Sequence, residues 1–513
     1  MPWSAHYRYQ AIRCIEQYAM ILVFNEQVIG MYIGVDLGTS GVKVIALDNQ
    51  DKIVAQATQS LMVQRPQPLW SEQDPHAWWE ATQTAIDSLA EQIDMSAVTA
   101  IGLSGQMHGA TLLDSQGEVL RAAILWNDGR CAAECIELEK AVPNSRDIVG
   151  NLMMPGFTAP KLKWVANHEP EVFAKVDMVL LPKDYLRFKL SGDYASDMSD
   201  SAGTMWLDIA KRDWSEELLK ATGLTRQQMP ELFEGSEVTG HLNSELAARW
   251  GMKEVPIIAG GGDNAAGAVG VGITEPGQAM LSLGTSGVYF AVSDGYISNP
   301  ESALHSFCHA LPGTWHAMSV ILSAASCLDW VAQLSDFEDV GQMLAETEAK
   351  ANQESAVYFL PYLSGERTPH NDPTAKGVFF GMTHSTTKYD LVQAVLEGVG
   401  FAFADGLDAL HETKLVPEEI SLIGGGARSA YWRQMLSNIF GMKVVFREGG
   451  DVGPALGAAR LARLGVEEGA TITDVCPVPP VVQVHMPDLA VTELYASKRG
   501  TYQALYSQLK GLF

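Results

Sequence analysis

Two α/β domains facing each other across a central cleft are the architecture this sequence predicts, on three observations. The chain has 513 residues, too many for one ordinary hydrophobic core. The stretch "DLGTSGVK" at 36–43 returns as "SLGTSGVY" at 282–289, so the same turn occurs once in each half. Around both copies, short alternating apolar runs give way to segments of helical length, the mixture expected of an α/β class.

From Met31 the runs "MYIGVDLG", "GVKVIALD" and "KIVAQATQ" read as strands, the first two joined into a hairpin by the Gly/Thr/Ser turn. "PHAWWEATQTAIDSLAEQI" reads as a helix with Asp74 as N-cap and Pro75 in its first turn, and "VTAIGLSGQ" as the next strand. In the second half "QAMLSLGTSGVYFAVS" again gives two strands around the turn. "AVLEGVGFAFADGLDAL" follows as a helix, and "EEISLIGGGARSAYWRQMLSNIF" as strand, glycine turn and helix. Pro276 and Gly277 punctuate the chain before the second hairpin. The expected domains are therefore 31–275 and 276–490, with a closing helix at 491–513 packed back on the second half. Residues 1–30 precede the first clear strand and are expected to be an upstream extension or a misassigned start.

Composition narrows the function. With 47% apolar and 19% charged residues the chain should pack a large core, and a net charge of −26 argues against nucleic acid while leaving small anions open. "YAMILVF" is far shorter than the about 20 residues of a membrane helix, and no cleavage site follows it, so neither membrane nor export is expected. Six scattered cysteines suit a reducing cytoplasm. Cys131 and Cys135 lack a second pair to complete a zinc site. His305, Cys308, His309 and His316 have a better composition for one, although their stretch also reads as a strand.

The repeated turn offers several backbone N–H groups and two hydroxyls in a small space. That suits a plain tight hairpin, and equally a cradle for phosphate oxygens. Two such cradles on opposite walls of a cleft could clamp a di- or triphosphate. Asp36 precedes the first turn and Lys43 follows it, and a carboxylate there could organise Mg²⁺ through its waters; Ser282 stands where Asp36 does in the first copy. No P-loop, dinucleotide-binding, protein-kinase or zincin motif occurs. In "PIIAGGGDNAAGAVGVG" a buried strand runs through three glycines into Asp263 and Asn264 at the head of a small-residue helix. Asp263 suits a helix cap. It also suits an acid on the cleft floor, kept ionised by the helix N-terminus and able to accept a proton from an attacking hydroxyl. "GGGAR" at 424–428 reads as a strand-to-helix turn against which a flat ring could lie.

Together these elements resemble the FGGY family of carbohydrate kinases, in the larger group with actin and hexokinase, from Met31 to about Leu464. "GFTAPKLKWVANH" at 156–168 and "GVFFGMTHSTTKYDLVQAVLE" at 377–397 fit its two signatures. "GQMHGATLLD", "ILWNDGR", "GGGDNAAGAVG" and "YLSGERTPHNDP" are closest to the members that act on D-xylulose. The resemblance implies two ribonuclease H-like (actin/hexokinase-like) domains and transfer of the ATP γ-phosphoryl group to the terminal hydroxyl of D-xylulose. Asp263 would be the proton acceptor, and Asp36 the acid near metal and phosphates. Met107, His108, Trp126, Asp128 and Asn264, with Asp263, would form the sugar pocket. Gly38, Thr39, Ser40 and Lys43 of the first turn, with Thr285 and Ser286 of the second, would hold phosphates. Gly425, Gly426 and Ala427 would flank the nucleotide, with Asn438 as an adenine contact. ATP and Mg²⁺ are the implied cosubstrate and metal, and a homodimer is left open. An actin- or chaperone-like ATPase would need neither Asp263 as a base nor "GQMHG". The leading residues are the one departure from the family pattern.

Overall fold

The computed structural model describes residues 30–352, 355–448 and 453–513. Apart from Gly30, the expected leading extension lies outside the described residues.

The first sheet starts with three antiparallel strands, β1 (Met31–Leu37), β2 (Gly41–Asp48) and β3 (Ile53–Ser60). Three more follow in the chain: β4 (Val98–Gly105), β5 (Val238–His241) and β6 (Pro256–Gly262). β4 lies parallel to β1, β6 parallel to β4, and β5 closes the edge antiparallel to β6, giving the order β3-β2-β1-β4-β6-β5. The period of two sorts the side chains onto two covered faces. Ile33, Val35, Val42 and Val44 pack with Trp78, Ile86 and Leu89 of helix Pro75–Ala90. Asp74 caps that helix, accepting from His76 N at 3.0 Å, as the sequence indicates. Tyr32, Ile45 and Leu47 face the other way.

The second sheet repeats the first. β7 (Ala279–Leu283) and β8 (Gly287–Ser293) form the second hairpin, followed by β9 (His305–Cys308), β10 (Trp315–Ile321), β11 (Glu419–Ile423), β12 (Lys443–Arg447) and β13 (Val481–His485). The order is β9-β10-β8-β7-β11-β12-β13. Setting β9 aside, the succession of two antiparallel, two parallel and one antiparallel pairing is that of the first sheet. The two turns therefore occupy equivalent places, between the central strand and its hairpin partner.

The largest departure from the sequence expectation is helix Gly453–Val466. Numbered with the second half, it packs on the first sheet, its Ala455, Leu456, Ala459 and Ala462 against Tyr32, Ile45 and Ala100. Small residues let the backbones touch: a Cβ on Gly34 would lie 2.0 Å from Ala455 O, one on Gly102 1.9 Å from Ala458 O, and one on Gly457 1.7 Å from Ala266 O. The same helix thus braces the sheet and helix Asp263–Gly270. Gly102→Ala is expected to destabilise the protein by about 3 kcal/mol or more, because rigid backbone must move. A thermal or urea unfolding curve checks this, and an unchanged midpoint would contradict the contact. The closing helix, Leu489–Leu509, docks on helix Lys388–His411, where Arg499 Nε donates to Asp405 at 2.9 Å. The five described cysteines are buried and free.

Candidate active site

The site is built from the C-terminal ends of β1, β4 and β6. Asp36 stands opposite Lys43 across the first hairpin and beside Ser104 on β4. Its Oδ1 is buried with no hydrogen-bond partner among the described residues. Burial, and then the charge of Asp263, push the carboxyl up to about 7 against the opposing pull of Lys43 and Ser104.

Asp263 arrives by an irregularity that only glycine permits. The β6–β4 register breaks between Ile258 and Gly261, and Gly260 takes a φ of +78°, with any Cβ only 1.7 Å from Leu103 O. Gly262 is the N-cap, so Asp263 is the first residue of its helix rather than the cap. Its Oδ1 accepts from Asn264 N at 2.7 Å and Asn264 Nδ2 at 2.9 Å, leaving Oδ2 to the cavity. Burial pushes the carboxyl up to about 6, opposed by the two Asn264 bonds. The helix N-terminus favours the ionised form, as expected from the sequence. Desolvation outweighs that effect, but the group is still a carboxylate above about pH 6.

A cavity of about 320 Å³ opens over Asp263 and Asn264, walled by Met107, His108, Trp126 and Gly156 on one side and Thr285 and Ser286 on the other. His108 sits at a strained φ of +68°. Its carbonyl accepts from Lys161 Nζ at 2.9 Å and Thr158 Oγ1 at 3.2 Å, and Lys161 Nζ also donates to Gly156 O at 2.7 Å. Burial holds the imidazole well below its ordinary range, so it is neutral. Nδ1 lies 2.8 Å from Gly203 O, and because a carbonyl only accepts, Nδ1 carries the proton and Nε2 is an acceptor.

Trp126 Nε1 donates to Thr39 Oγ1 at 2.9 Å, Thr39 Oγ1 donates to Gln106 Oε1 at 3.0 Å, and Gln73 Nε2 donates to Thr39 O at 2.7 Å. The first turn is thereby tied to the cavity wall, yet Gly38, Thr39, Ser40, Lys43 and Asp36 are not themselves part of that wall. Asp128 also lies outside the wall. It is buried, accepting from Ser71 N at 2.6 Å and from Arg130 Nε at 2.9 Å and Nη2 at 2.6 Å, and it fixes the turn that presents Trp126.

A second cavity, of about 790 Å³, lies behind the second turn, between Gly425 and Gly426 on one side and Leu328, Leu344 and Tyr431 on the other. Gly284 and Thr285 line both cavities, so this turn is the partition between them. Ala427 and Asn438 stand behind the wall. Ala427 is buried, its carbonyl accepting from Arg433 Nη1 at 2.6 Å, and Asn438 Oδ1 accepts from Asp488 N at 2.9 Å and Gln434 Nε2 at 3.1 Å.

Among the described residues no group of three or more His, Cys, Asp or Glu is gathered as a metal ion requires. The histidines considered for zinc have separate partners, His305 and His316 on strands and His309 just past the end of β9. His305 Nδ1 meets Asn151 Oδ1 at 3.1 Å, His309 Nε2 meets Ile273 O at 3.2 Å, and His316 stacks on Phe290 with centroids 4.2 Å apart. Sequence reasoning passed over a buried support beneath Asp263. Gly262 N donates to Ser199 Oγ at 3.1 Å, Ser199 Oγ donates to Asp197, and Asp197 pairs with Lys183 at 2.7 Å. Its only local signal is the polar run "SDMSDSAG", whose inward direction depends on a lysine distant in sequence.

Comparison with known proteins agrees with this geometry. The N-terminal domain of the FGGY family of carbohydrate kinases matches residues 31–270, and its C-terminal domain matches 279–465. The xylulose kinase of Escherichia coli (strain K12) is 61% identical over 93% of this chain and 99% of its own, and that of Klebsiella pneumoniae 59% identical over 94% and 100%. The crystal structure of a "xyloylose kinase" from Brucella ovis superposes with a TM-score of 0.90, at 49% identity, covering 94% of this chain and 100% of that one. Two α/β domains flanking a central cleft are consistent with that fold, and the chain belongs to the FGGY family of carbohydrate kinases.

Proposed function

We propose that the chain phosphorylates D-xylulose at its terminal hydroxyl with ATP as donor, giving D-xylulose 5-phosphate and ADP. The observation that carries this reading is the pair of cavities sharing one wall. The cavity holding Asp263 suits a small polyhydroxylated acceptor, the one beside Gly425 and Gly426 suits a nucleoside, and the turn between them suits the phosphates. The relatives named xylulose kinase support the choice of acceptor.

In this reading Asp263 Oδ2 takes the proton of the attacking hydroxyl. A weak base suffices, because in a loose transition state the proton leaves late. Met107, His108, Trp126 and Asn264 orient the sugar, while Asp128 acts through the Trp126 turn. Thr285 and Ser286 hold phosphates in the open form. Closure of the halves brings Gly38, Thr39, Ser40 and Lys43 onto them and excludes water. Gly425 and Gly426 lie against the nucleotide, with Ala427 and Asn438 fixing that wall from behind. The unpartnered, buried Oδ1 of Asp36 fits a site for Mg²⁺, held through Asp36 and water. When bound, the ion would neutralise and orient phosphate oxygens. The division of the halves at 275/276, and a cytoplasmic location where ATP is supplied, belong to the same proposal.

A coupled ADP-release assay across ketoses and polyols tests it. D-xylulose should give the highest kcat/KM, at least about tenfold above glycerol, ribulose or gluconate. Equal ADP release without any acceptor would make the protein an ATPase and overturn the reading.

A further inference from the structure

The acceptor cavity contains a second charged side chain that the reaction as drawn leaves unused. Arg367 lies in its wall, contributed by the second half opposite His108 and Gly156. The backbone on either side of it is fixed. Glu366 Oε1 accepts from Leu322 N at 3.0 Å and from Arg367 N at 2.7 Å. Thr368 N donates to Val320 O at 3.1 Å, while Thr368 Oγ1 accepts from Val320 N at 3.1 Å and donates to Ala303 O at 3.0 Å. The guanidinium at the centre of this frame has no hydrogen-bond or ion-pair partner among the described residues, and Glu366 acts on it only at a distance. A largely desolvated cation is costly unless something pairs with it, and guanidinium stays charged at any working pH.

Its place in the cavity identifies the missing partner. His108 and His305, which line the same cavity, both feel the positive charge of Arg367. The guanidinium therefore sits at the histidine end of the cavity, with Nη2 beside Gly156. The wall is tight there: a Cβ on Gly156 would meet Trp126 O at 2.7 Å, and its position lies 3.9 Å from Arg367 Nη2. An acceptor that offers its terminal hydroxyl to Asp263 would turn its opposite end to Arg367. In a ketose that end carries a carbonyl oxygen, which only accepts, and guanidinium only donates.

Resting on the sugar-kinase reading of this cavity, we propose that Arg367 is a specificity-determining residue that donates to the carbonyl end of the acceptor and so favours an acyclic ketose over the polyol made by reducing it. Reduction makes the carbonyl carbon tetrahedral, so its oxygen leaves the plane in which the guanidinium donates and becomes the poorer acceptor for it.

The test compares initial rates of the wild-type protein and Arg367→Met on D-xylulose and on its two reduction products, xylitol and D-arabinitol. The KM for D-xylulose should rise about 10- to 100-fold, while KM for ATP and for the polyols moves less than about twofold, so the ketose preference collapses. A merely structural role would weaken ketose and polyol alike and lower the melting temperature, which overturns the proposal. So would a D-xylulose KM within about twofold of wild type. Should Arg367→Met fail to fold, Arg367→Gln carries the same comparison with the same expected collapse. If wild-type protein does not phosphorylate D-xylulose, the functional reading fails and takes this inference with it. If the wild type prefers D-xylulose and the variant's ratio is unchanged, only the role of Arg367 is lost.

Discussion

Asp263→Ala is expected to lower kcat for sugar phosphorylation by at least about a hundredfold while leaving ATP affinity within about twofold. The size follows from the position of the group. β6 reaches the cleft floor through a glycine bulge and presents one carboxyl oxygen to Asn264 and the other to the cavity. Asp263→Asn sharpens the result. It retains the shape and a carbonyl oxygen for Asn264 but cannot accept the proton, so it should be nearly as slow as the alanine variant. The pH profile carries the same signature. In the proposed reaction the base works ionised, so kcat/KM should fall as pH drops through the region of about 6 to about 7, where Asp263 and Asp36 lie. The two carboxyls act on one another, so the apparent values belong to the pair. A variant with near-normal turnover would remove Asp263 from the chemistry.

Asp36→Asn is expected to lose most activity and gain stability. Burial and the charge of Asp263 raise the folded-state value of Asp36 from 3.8 to about 7, so the folded protein binds this proton more tightly than the unfolded chain does. The stability linked to that proton is fully present below about pH 4 and is lost as pH rises through about 7. Asparagine imitates the protonated form. At pH 8 the variant should therefore exceed wild type by about 1–3 kcal/mol, allowing for screening at the mouth of the cleft, with the difference vanishing near pH 4. Thermal unfolding at the two pH values measures it. Phosphoryl transfer should fall by about a hundredfold or more, because the proposed Mg²⁺ site would lose its carboxylate. A variant less stable than wild type at pH 8 would mean that Asp36 is held by partners rather than strained for function.

Local chemistry made much of this legible in the sequence. The hairpins, the capped helix after Asp74 and the glycine run into Asp263 are written in consecutive residues, and the structure has each of them. What sequence could not give was the direction of a side chain set by a distant partner. Asp128 looks like a pocket residue beside Trp126 until Ser71, from an earlier segment, claims it together with its neighbour Arg130, and Asn438 is likewise claimed by Asp488. Lys161 and Arg367 lie within stretches that stand out in the sequence. Their importance appears only when His108 and Gly156 arrive beside them from elsewhere in the chain. Helix Gly453–Val466 is the same case at larger scale. Its small-residue face fits the glycines of β1 and β4, which are hundreds of residues earlier.

The most direct measurement is a crystal structure with D-xylulose and a non-hydrolysable ATP analogue. The base should lie beside Gly425 and Gly426, and the phosphates should run along Thr285 and Ser286 toward the sugar hydroxyl at Asp263. The halves should have drawn together so that Gly38–Ser40 also touches phosphate. A triphosphate bound anywhere else, or a second turn making no contact with it, would contradict the two-cavity reading of the site.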